Sequence, residues 1–453
     1  MARARTVASC EAIAAQGRLL CLLFALSMAV TAPAFAQTPL TLEDAMKRAQ
    51  GDTPDARALA SAIDEADARV RRAQAGFWPR VDLTETVQRG NQPVFVFSSL
   101  LSQRRFAAAN FAIAALNHPD PVTNTRTAVT IEQPVFDSGL TRLSVQAARL
   151  ERDAASATRE SARQDLALRA AQAFVRVLQL ESRVRATNAA LVSAESDRER
   201  AGARRDVGLV TNADVLAVDV HVADMRQRQI SAAADLTVAR LQLADAVGLP
   251  LTTPLVPIRP ASRRAPEQAD ALVREALRAH PGLRQAVVQL ELAENGRREA
   301  RAALLPTFSV QAGWEFNGTT IGAQQSSWVV GAEVRLNVFR GFADTASVAE
   351  TRYAHVGATA DRERVARGIE VDVRAALAQL AAARAREDAG RTALVQARES
   401  QRIIRDRYES GLATITDVLR AAEAALDAES RATAAEMDVT LQTVALDRAI
   451  GRL

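Results

Sequence analysis

The dominant feature of the hydrophobic pattern is a long stretch that predicts helix. Residues 141–205 span 65 positions with no proline and one glycine, Gly202. At 1.5 Å per residue, a helix of this length extends roughly 100 Å. Apolar positions within it alternate at spacings of four and three, which predicts a coiled-coil seam. The seam consists of Leu166, Ala170, Ala173, Val177, Leu180, Val184, Thr187, Leu191 and Ala194.

The chain contains two similar halves. The segment Gly208–Leu216 recurs as Gly411–Leu419, an offset of 203 residues (411 − 208). The same offset carries the seam into the second half, where Glu387 is the one clear departure. Upstream, Pro54 recurs as Pro281 at an offset of 227 (281 − 54), so the first half carries 24 additional residues (227 − 203). Self-similarity of this kind predicts a repeated structural unit.

Each half is predicted to contain short helices, two strands and a long helical hairpin. Pro54 and Pro281 suit the first position of a helix, where the missing N–H has no consequence. The hairpin turns contain Gly208 and Gly411, which suit the left-handed residue after a helix. The predicted boundaries are a signal peptide over 1–36, a first repeat over 37–248, a linker over 249–266 and a second repeat over 267–453, with an extended loop over about 88–125.

Two segments of the second half alternate with period two, which is typical of strands. One runs from Phe308 to Phe316 and the other from Trp328 to Val338, and the first half shows the pattern more faintly. About ten residues is the length of a membrane-crossing strand. All three tryptophans, Trp78, Trp314 and Trp328, lie in or beside these segments and suit membrane-interface positions. An ordinary antiparallel sheet with one buried face explains the alternation equally well.

The first 36 residues resemble an export signal. Three arginines precede the apolar run Leu19–Val30, and Ala34-Phe35-Ala36 forms a cleavage site, so the mature chain is predicted to start at Gln37. Removal takes away three Arg and one Glu, which lowers the net charge from +4 to +2. The weak residual charge and the lack of a basic stripe argue against nucleic-acid binding. Both cysteines lie in the removed segment, so no disulfide is expected.

Composition and motifs give no support for an enzyme. Hydrophobic residues make up 48% and charged residues 24% of the chain, which excludes wholesale disorder. The four histidines are His118, His221, His280 and His355, and none belongs to an H-E-x-x-H motif. No G-x-S-x-G, Walker A or G-x-G-x-x-G motif is present. We therefore expect no catalytic residue, no metal site and no cofactor.

These features together resemble the TolC-like outer-membrane efflux proteins. The resemblance rests on the export signal, the two halves, the strand exits Val135-Phe136-Asp137-Ser138-Gly139 and Val338-Phe339-Arg340-Gly341, and the paired Gly-Leu-x-Thr-x-x-Asp-Val tips. It implies a mainly α fold with a transmembrane β-barrel, in which a homotrimer contributes four strands per protomer to twelve. Long coiled-coil helices would form an α-barrel in the periplasm of a Gram-negative bacterium.

The resemblance also implies a function and partners. The chain would be the passive outer-membrane duct of a tripartite efflux or type I secretion system. It would contact the lipid bilayer, a periplasmic adaptor and, through it, an inner-membrane pump. The alternative from the residues alone is a soluble periplasmic coiled-coil adaptor, which needs no strands.

The family implies a gate and adaptor contact at the helix tips. The corresponding positions are Gly208, Thr211, Asp214, Tyr408, Gly411, Thr414, Asp417 and Arg420. In the family, acidic side chains narrow the closed entrance, and Asp417 matches one of them. Tyr408 matches a latch tyrosine and Asp214 its acceptor. Two positions depart from the pattern, since Ala413 replaces an arginine and Arg420 replaces a second aspartate. Asp214 and Asp417 also suit helix capping, which we favour as their main role.

The inserted loop contains Phe95, Phe97, Phe106 and Phe111. It is expected at the extracellular mouth. A plug, a packed lid and a surface-contact site are each compatible with its apolar sequence, and we favour a packed lid.

Overall fold

The computed structural model describes residues 38–51, 53–260 and 268–453. The predicted signal peptide and part of the predicted linker lie outside these ranges. Within them the chain is mainly helical. None of the helices in these ranges combines the length and the apolar character needed to cross a membrane.

The elements alternate between helices and short strands. The described α-helices are α1 (Leu42–Ala49), α2 (Pro54–Gln74), α3 (Pro93–Ser102), α4 (Ile113–Asn117), α5 (Leu140–Asp206), α6 (Asn212–Ala246), α7 (Ala269–Ala279), α8 (Pro281–Ala302), α9 (Ala343–Glu409) and α10 (Ile415–Ile450). The described strands are β1 (Thr38–Leu40), β2 (Arg80–Gly90), β3 (Val122–Phe136), β4 (Leu255–Pro257), β5 (Thr307–Gly318) and β6 (Gln324–Arg335).

The two halves repeat each other, as predicted. Helices α5 and α9 have 67 residues each. Both their first and their last residues differ by 203 (343 − 140 and 409 − 206). Helices α2 and α8 start 227 residues apart, each with a proline at the N-terminal position. The insertion in the first half lies between β2 and β3 and contains α3 and α4.

The long helices pack through the predicted coiled-coil seams. Every seam position of α5 and of α9 is buried or half-buried. Small residues allow close approach of the helices: a Cβ on Gly390 would lie 3.4 Å from the Cα of Ala432 in α10. The departure at Glu387 is accommodated by an ion pair with Arg391, one turn further along α9, at 2.8 Å.

Four strands form one antiparallel sheet in the order β2-β3-β5-β6. Leu83 pairs with Val129, Val129 with Trp314, and Trp314 with Trp328. The predicted alternation to Val338 extends beyond the strand, because β6 ends at Arg335. There the chain turns towards α9, and the Asn337 side chain donates to Asp344 in its first turn at 2.9 Å. A separate parallel pair joins β1 to β4.

The chain divides into two compact units that cut across the sequence repeats. The first unit contains the helix tips and the β1–β4 pair, and the second contains the four-stranded sheet. The first combines Met1–Gly51, Arg169–Arg264 and Ala383–Leu441, and the second combines Asp52–Leu168, Ala265–Ala382 and Gln442–Leu453, each as far as it is described. The repeat boundaries themselves stay a prediction.

Candidate tip site and two-faced sheet

The long helices end in two matching glycine turns. Gly208 has a φ of +77° and Gly411 a φ of +75°. After α5, the N–H of Gly208 donates to the Arg205 carbonyl at 2.9 Å and that of Leu209 to the Arg204 carbonyl at 2.8 Å. This pair of bonds is the Schellman motif, whose left-handed position favours glycine. The glycines therefore set the sharp reversal of each hairpin.

The return helices start with a threonine–aspartate cap. The N–H of Thr211 donates to Asp214 Oδ2 at 2.9 Å, and the N–H of Asp214 donates to the Thr211 hydroxyl at 3.3 Å. The corresponding distances for Thr414 and Asp417 are 3.0 Å and 3.3 Å. Each pair thus satisfies two backbone donors that the helix itself leaves unpaired. Capping is the role that the local geometry shows for both aspartates.

Both capping carboxylates are easier to ionise than usual. The Thr211 hydroxyl and backbone N–H hold the pKa of Asp214 below its ordinary value of 3.8. The hydroxyl and N–H of Thr414 do the same to the pKa of Asp417, and the positive charge of Arg420 lowers it further. Arg420, which stands where the family has an aspartate, therefore supports the Asp417 carboxylate electrostatically.

These pKa directions predict an acid limit for the tips. A carboxylate whose pKa is depressed by folding contributes stability above its unfolded pKa and loses it as pH falls through the folded value. We expect the cap at Asp417 to persist from about pH 7 down to about pH 5 and to weaken only below 3.8. Hydrogen exchange of tip peptides, corrected for intrinsic rates, measures this. Asp417→Asn is the control, because its amide oxygen can still accept the Thr414 N–H but does not titrate. Loss of protection above pH 5 in the native chain alone would contradict the capping role.

Behind the turns lies an apolar cluster, which we call the tip core. Its buried members are Leu191, Ala194, Ala201, Val215, Val218, Val222, Met225, Tyr408, Ile415 and Val418. Tyr408 is 8% exposed, and its hydroxyl has no hydrogen-bond partner within the described chain. The family latch would join Tyr408 to Asp214, whereas the Asp214 carboxylate here accepts bonds from Thr211. The latch role of this pair stays a prediction.

The structure shows a contact between the two long helices that the sequence did not predict. Arg204, in the last turn of α5, donates to the carbonyls of Tyr408 and Glu409 at 2.9 Å each. Its guanidinium carbon also lies 4.5 Å from the centre of the Tyr408 ring. Arg204 thus joins the end of α5 to the end of α9, as a second donor to the Tyr408 carbonyl, which also accepts the Gly411 N–H at 3.1 Å, and as a donor to the carbonyl of Glu409. Arg407 occupies the equivalent position of the second half, so the repeat alone does not mark Arg204.

A cavity of about 260 Å³ lies behind the tip core. Ionisable side chains line it in pairs: Arg405 Nη2 lies 3.4 Å from Asp197 Oδ2, and His221 Nδ1 lies 3.6 Å from Glu423 Oε1. No cluster of three or more His, Cys, Asp or Glu side chains in the described ranges is arranged to hold a metal ion. Each of these two contacts joins side chains of different helices.

The four-stranded sheet has one apolar and one polar face. Side chains alternate between the faces along each strand, and the register aligns them across the sheet. The apolar face carries Val81, Leu83, Val129, Ile131, Ala312, Trp314, Trp328 and Val330. The polar face carries Asp82, Thr84, Asn124, Arg126, Thr130, Glu315 and Asn317. Arg126 and Glu315 form an ion pair there.

The three tryptophans lie at two levels of this sheet. Trp314 and Trp328 pair directly across the apolar face and are 53% and 72% exposed. Trp78, 73% exposed, precedes β2 and lies five residues before Leu83, which shares the level of Trp314. Trp314 and Trp328 therefore mark one level of the exposed apolar face, and Trp78 precedes the start of β2. Their contact with a membrane interface stays a prediction.

A family model and curated relatives match the chain over most of its length. The model described as Outer membrane efflux protein matches residues 45–249 and 272–452. Outer membrane protein TolC of Vibrio cholerae is 25% identical over 303 residues, which cover 64% of this chain and 68% of the relative. Outer membrane efflux protein BepC of Brucella suis is 26% identical over 340 residues, which cover 74% of each.

The fold also matches a solved structure. The CmeC outer membrane channel of Campylobacter jejuni superposes with a TM-score of 0.76 at 15% identity, over 91% of this chain and 85% of CmeC. This likeness confirms the mainly helical fold with long coiled-coil helices, repeated halves and four strands.

Proposed function

Because the chain belongs to the outer membrane efflux protein family, we propose that three copies of it form a continuous exit duct that receives its substrates at the helix tips. Family membership makes the chain an outer-membrane efflux channel of a Gram-negative bacterium, in a tripartite efflux or type I secretion system. It is a channel and not an enzyme. Our proposal adds to this channel a trimeric assembly, a periplasmic adaptor and an inner-membrane pump.

The main support for a trimer is the open four-stranded sheet. Strands β2 and β6 each have one edge without a partner in the described chain. Unpaired strand edges are not tolerated in lipid, because each unsatisfied backbone group there is strongly unfavourable. Three copies joined edge to edge give twelve strands and remove every edge. The apolar face would then contact lipid, and the polar face would line a water-filled lumen.

The exposed apolar residues of the tips support a protein partner there. Val207, Leu209 and Leu412 are 70%, 73% and 69% exposed. They lie next to the two glycine turns, so each protomer has two small exposed apolar patches at its helix tips. Apolar side chains held in fixed turns lose little conformational freedom when a partner covers them. A periplasmic adaptor fits this position, and through it the inner-membrane pump would supply the energy.

The gate assignment extends the same argument to the remaining tip residues. Tyr408 lies in the tip core, and Asp417 and Arg420 lie in the first turns of α10. We propose that these residues, with Thr211, Asp214 and Thr414, position the tips that close the entrance. Density-gradient fractionation of the full chain, with the oligomer mass measured in detergent, tests the assembly. A trimer in the outer-membrane fraction supports the duct, and a soluble periplasmic monomer would overturn it.

Gly411→Val tests the tip as the adaptor contact. A Cβ at Gly411 meets no atom within 4 Å, so the substitution acts only through the left-handed φ. For a non-glycine residue that conformation costs about 1–2 kcal/mol. We expect normal trimers with weakened adaptor binding in co-purification and reduced drug efflux. Gly202→Val, in a helix and equally free of close atoms, is the control. Loss of the trimer in Gly411→Val would count against the assignment.

A further inference from the structure

The segment inserted between β2 and β3 is a folded element. We call residues 91–121 the exit insert, since β2 ends at Gly90 and β3 starts at Val122. Three of its aromatic rings are in edge-to-face contact. Phe97 and Phe106 have ring centres 4.8 Å apart, and those of Phe106 and Phe111 are 5.0 Å apart. Phe111 is 65% exposed, whereas Val96 and Ser99 of α3 are buried. The insert is therefore held together by ring contacts and by the buried side of α3.

The end of α3 is fixed to the sheet by a buried amide network. Gln103 is 4% exposed, and its Nε2 lies 2.9 Å from both the Thr123 carbonyl and Asn124 Oδ1. The Asn124 amide in turn donates to Asn317 Oδ1 at 3.0 Å. Arg104, which follows in a left-handed conformation with a φ of +54°, donates to the Ser326 carbonyl at 3.2 Å. The insert is thus attached to β3, β5 and β6.

The attachment is on the polar face of the sheet. Asn124 and Asn317 alternate in register with Arg126 and Glu315, whereas Trp314 points to the other face. An independent contact agrees: a Cβ on Gly90, which projects to the polar face, would lie 3.6 Å from the Phe95 ring. Both the hydrogen bonds and the aromatic packing therefore place the insert over the polar side.

We propose that the exit insert is a plug that narrows the outer end of the duct, and that Gln103 is the positioning residue that holds it there. The proposal rests on the proposed function, because the polar face is the lumen only if the sheets close into a barrel. By symmetry, three inserts would converge on one opening. The insert carries Arg104 and Arg105 against one acidic residue, Asp120, so each copy adds a net charge of +1 (2 − 1) to the narrowed exit.

Cysteine labelling from outside intact cells measures access past the plug. Thr130 lies on the polar face, six residues further along β3 than Asn124, and is exposed. Both native cysteines lie in the predicted signal peptide, so Thr130→Cys supplies one reactive thiol in the mature chain. A small maleimide reports whether the lumen is open to solvent. A bulky polymer-linked maleimide reports whether the exit is narrow.

Three further changes are combined with Thr130→Cys. Gln103→Leu removes the anchor, and replacing residues 91–121 by Asn-Gly removes the insert, with Gly90 and Val122 directly paired across the new turn. Gln92→Leu is the matched control, because Gln92 is exposed and makes no capping bond to α3. The bulky reagent should react about tenfold faster with Gln103→Leu, since removing one partner of a buried hydrogen-bond network shifts an opening equilibrium by about that factor. Insert removal should have a larger effect, and Gln92→Leu none.

The outcomes separate the plug from the duct itself. If the small reagent labels every variant and the bulky reagent does so equally fast in all, the plug is wrong and the duct stands. If the small reagent fails to reach Thr130→Cys from outside even after insert removal, the polar face is not the lumen, and the proposed function fails with it. Outer-membrane trimer levels of each variant exclude misfolding as the cause of any change.

Discussion

Val330→Arg is expected to abolish assembly of the channel in the outer membrane. Val330 lies on the apolar face of β6, in register with Ala312, Ile131 and Val81. This level lies two residues further from the exit insert than the Trp314–Trp328 pair, on the exposed apolar face. An arginine at the membrane midplane destabilises a barrel by about 2–4 kcal/mol. In the proposed trimer the penalty applies three times, so little assembled protein should remain.

Val329→Arg is the matched control. Val329 is the neighbouring valine of the same strand and is similarly exposed, at 64% against 62% for Val330. Its side chain projects to the polar face, where an arginine would be in water. Trimer levels in outer-membrane fractions measure both variants. Normal trimers of Val330→Arg, or equal losses of both, would show that the apolar face does not meet lipid.

The long helices and their turns were predictable because their signals are local. A seam with spacings of four and three indicates both the helix and its buried side, and the predicted seam positions are buried or half-buried in α5 and α9. The left-handed glycines and the threonine–aspartate caps act within six residues of each other. The repeat offset then transferred each assignment to the other half. The strand limits differ from the predicted ones. At β6 the strand ends at Arg335, and the following chain turns where Asn337 donates to Asp344.

The exit insert was less predictable, because its local pattern is ambiguous. Val94, Phe95, Val96 and Phe97 are residue types that favour strands, and they lie in α3. Pro93 at the first helical position and packing among the phenylalanines override that preference. Its attachment through Gln103 depends on strands 20 and 215 residues away in sequence. No short-range motif contains that information.

Arg204 was unpredictable for a related reason. Four residues before each tip glycine stands an arginine, Arg204 in one half and Arg407 in the other. Of these two arginines, Arg204 alone donates to the end of the neighbouring long helix within the part of the chain that the structure describes. Repeated sequences occupy different surroundings once the two halves pack together. The distinction therefore belongs to the tertiary structure.

Arg204→Gln is expected to loosen the closed tip. The substitution removes two charge-assisted bonds to α9, each worth about 1.5–3 kcal/mol when well formed. It also removes the contact with the Tyr408 ring, worth about 0.5–1 kcal/mol. Since Arg204 is half-buried, water can replace part of these interactions in the variant. The net loss of free energy should therefore be nearer the lower values. We expect higher single-channel conductance and greater sensitivity to large antibiotics.

Two companions make the Arg204 result specific. Arg205→Gln removes the adjacent arginine, whose side chain pairs with Asp206 on its own helix at 2.7 Å, and should leave conductance unchanged. Tyr408→Phe removes a hydroxyl that has no hydrogen-bond partner among the described residues but keeps the ring beneath the guanidinium, so it too should conduct normally. If Tyr408→Phe opens the channel and Arg204→Gln does not, closure depends on the phenol, as the family latch implies. The opposite pattern would show that a single arginine fastens the two long helices of this chain together.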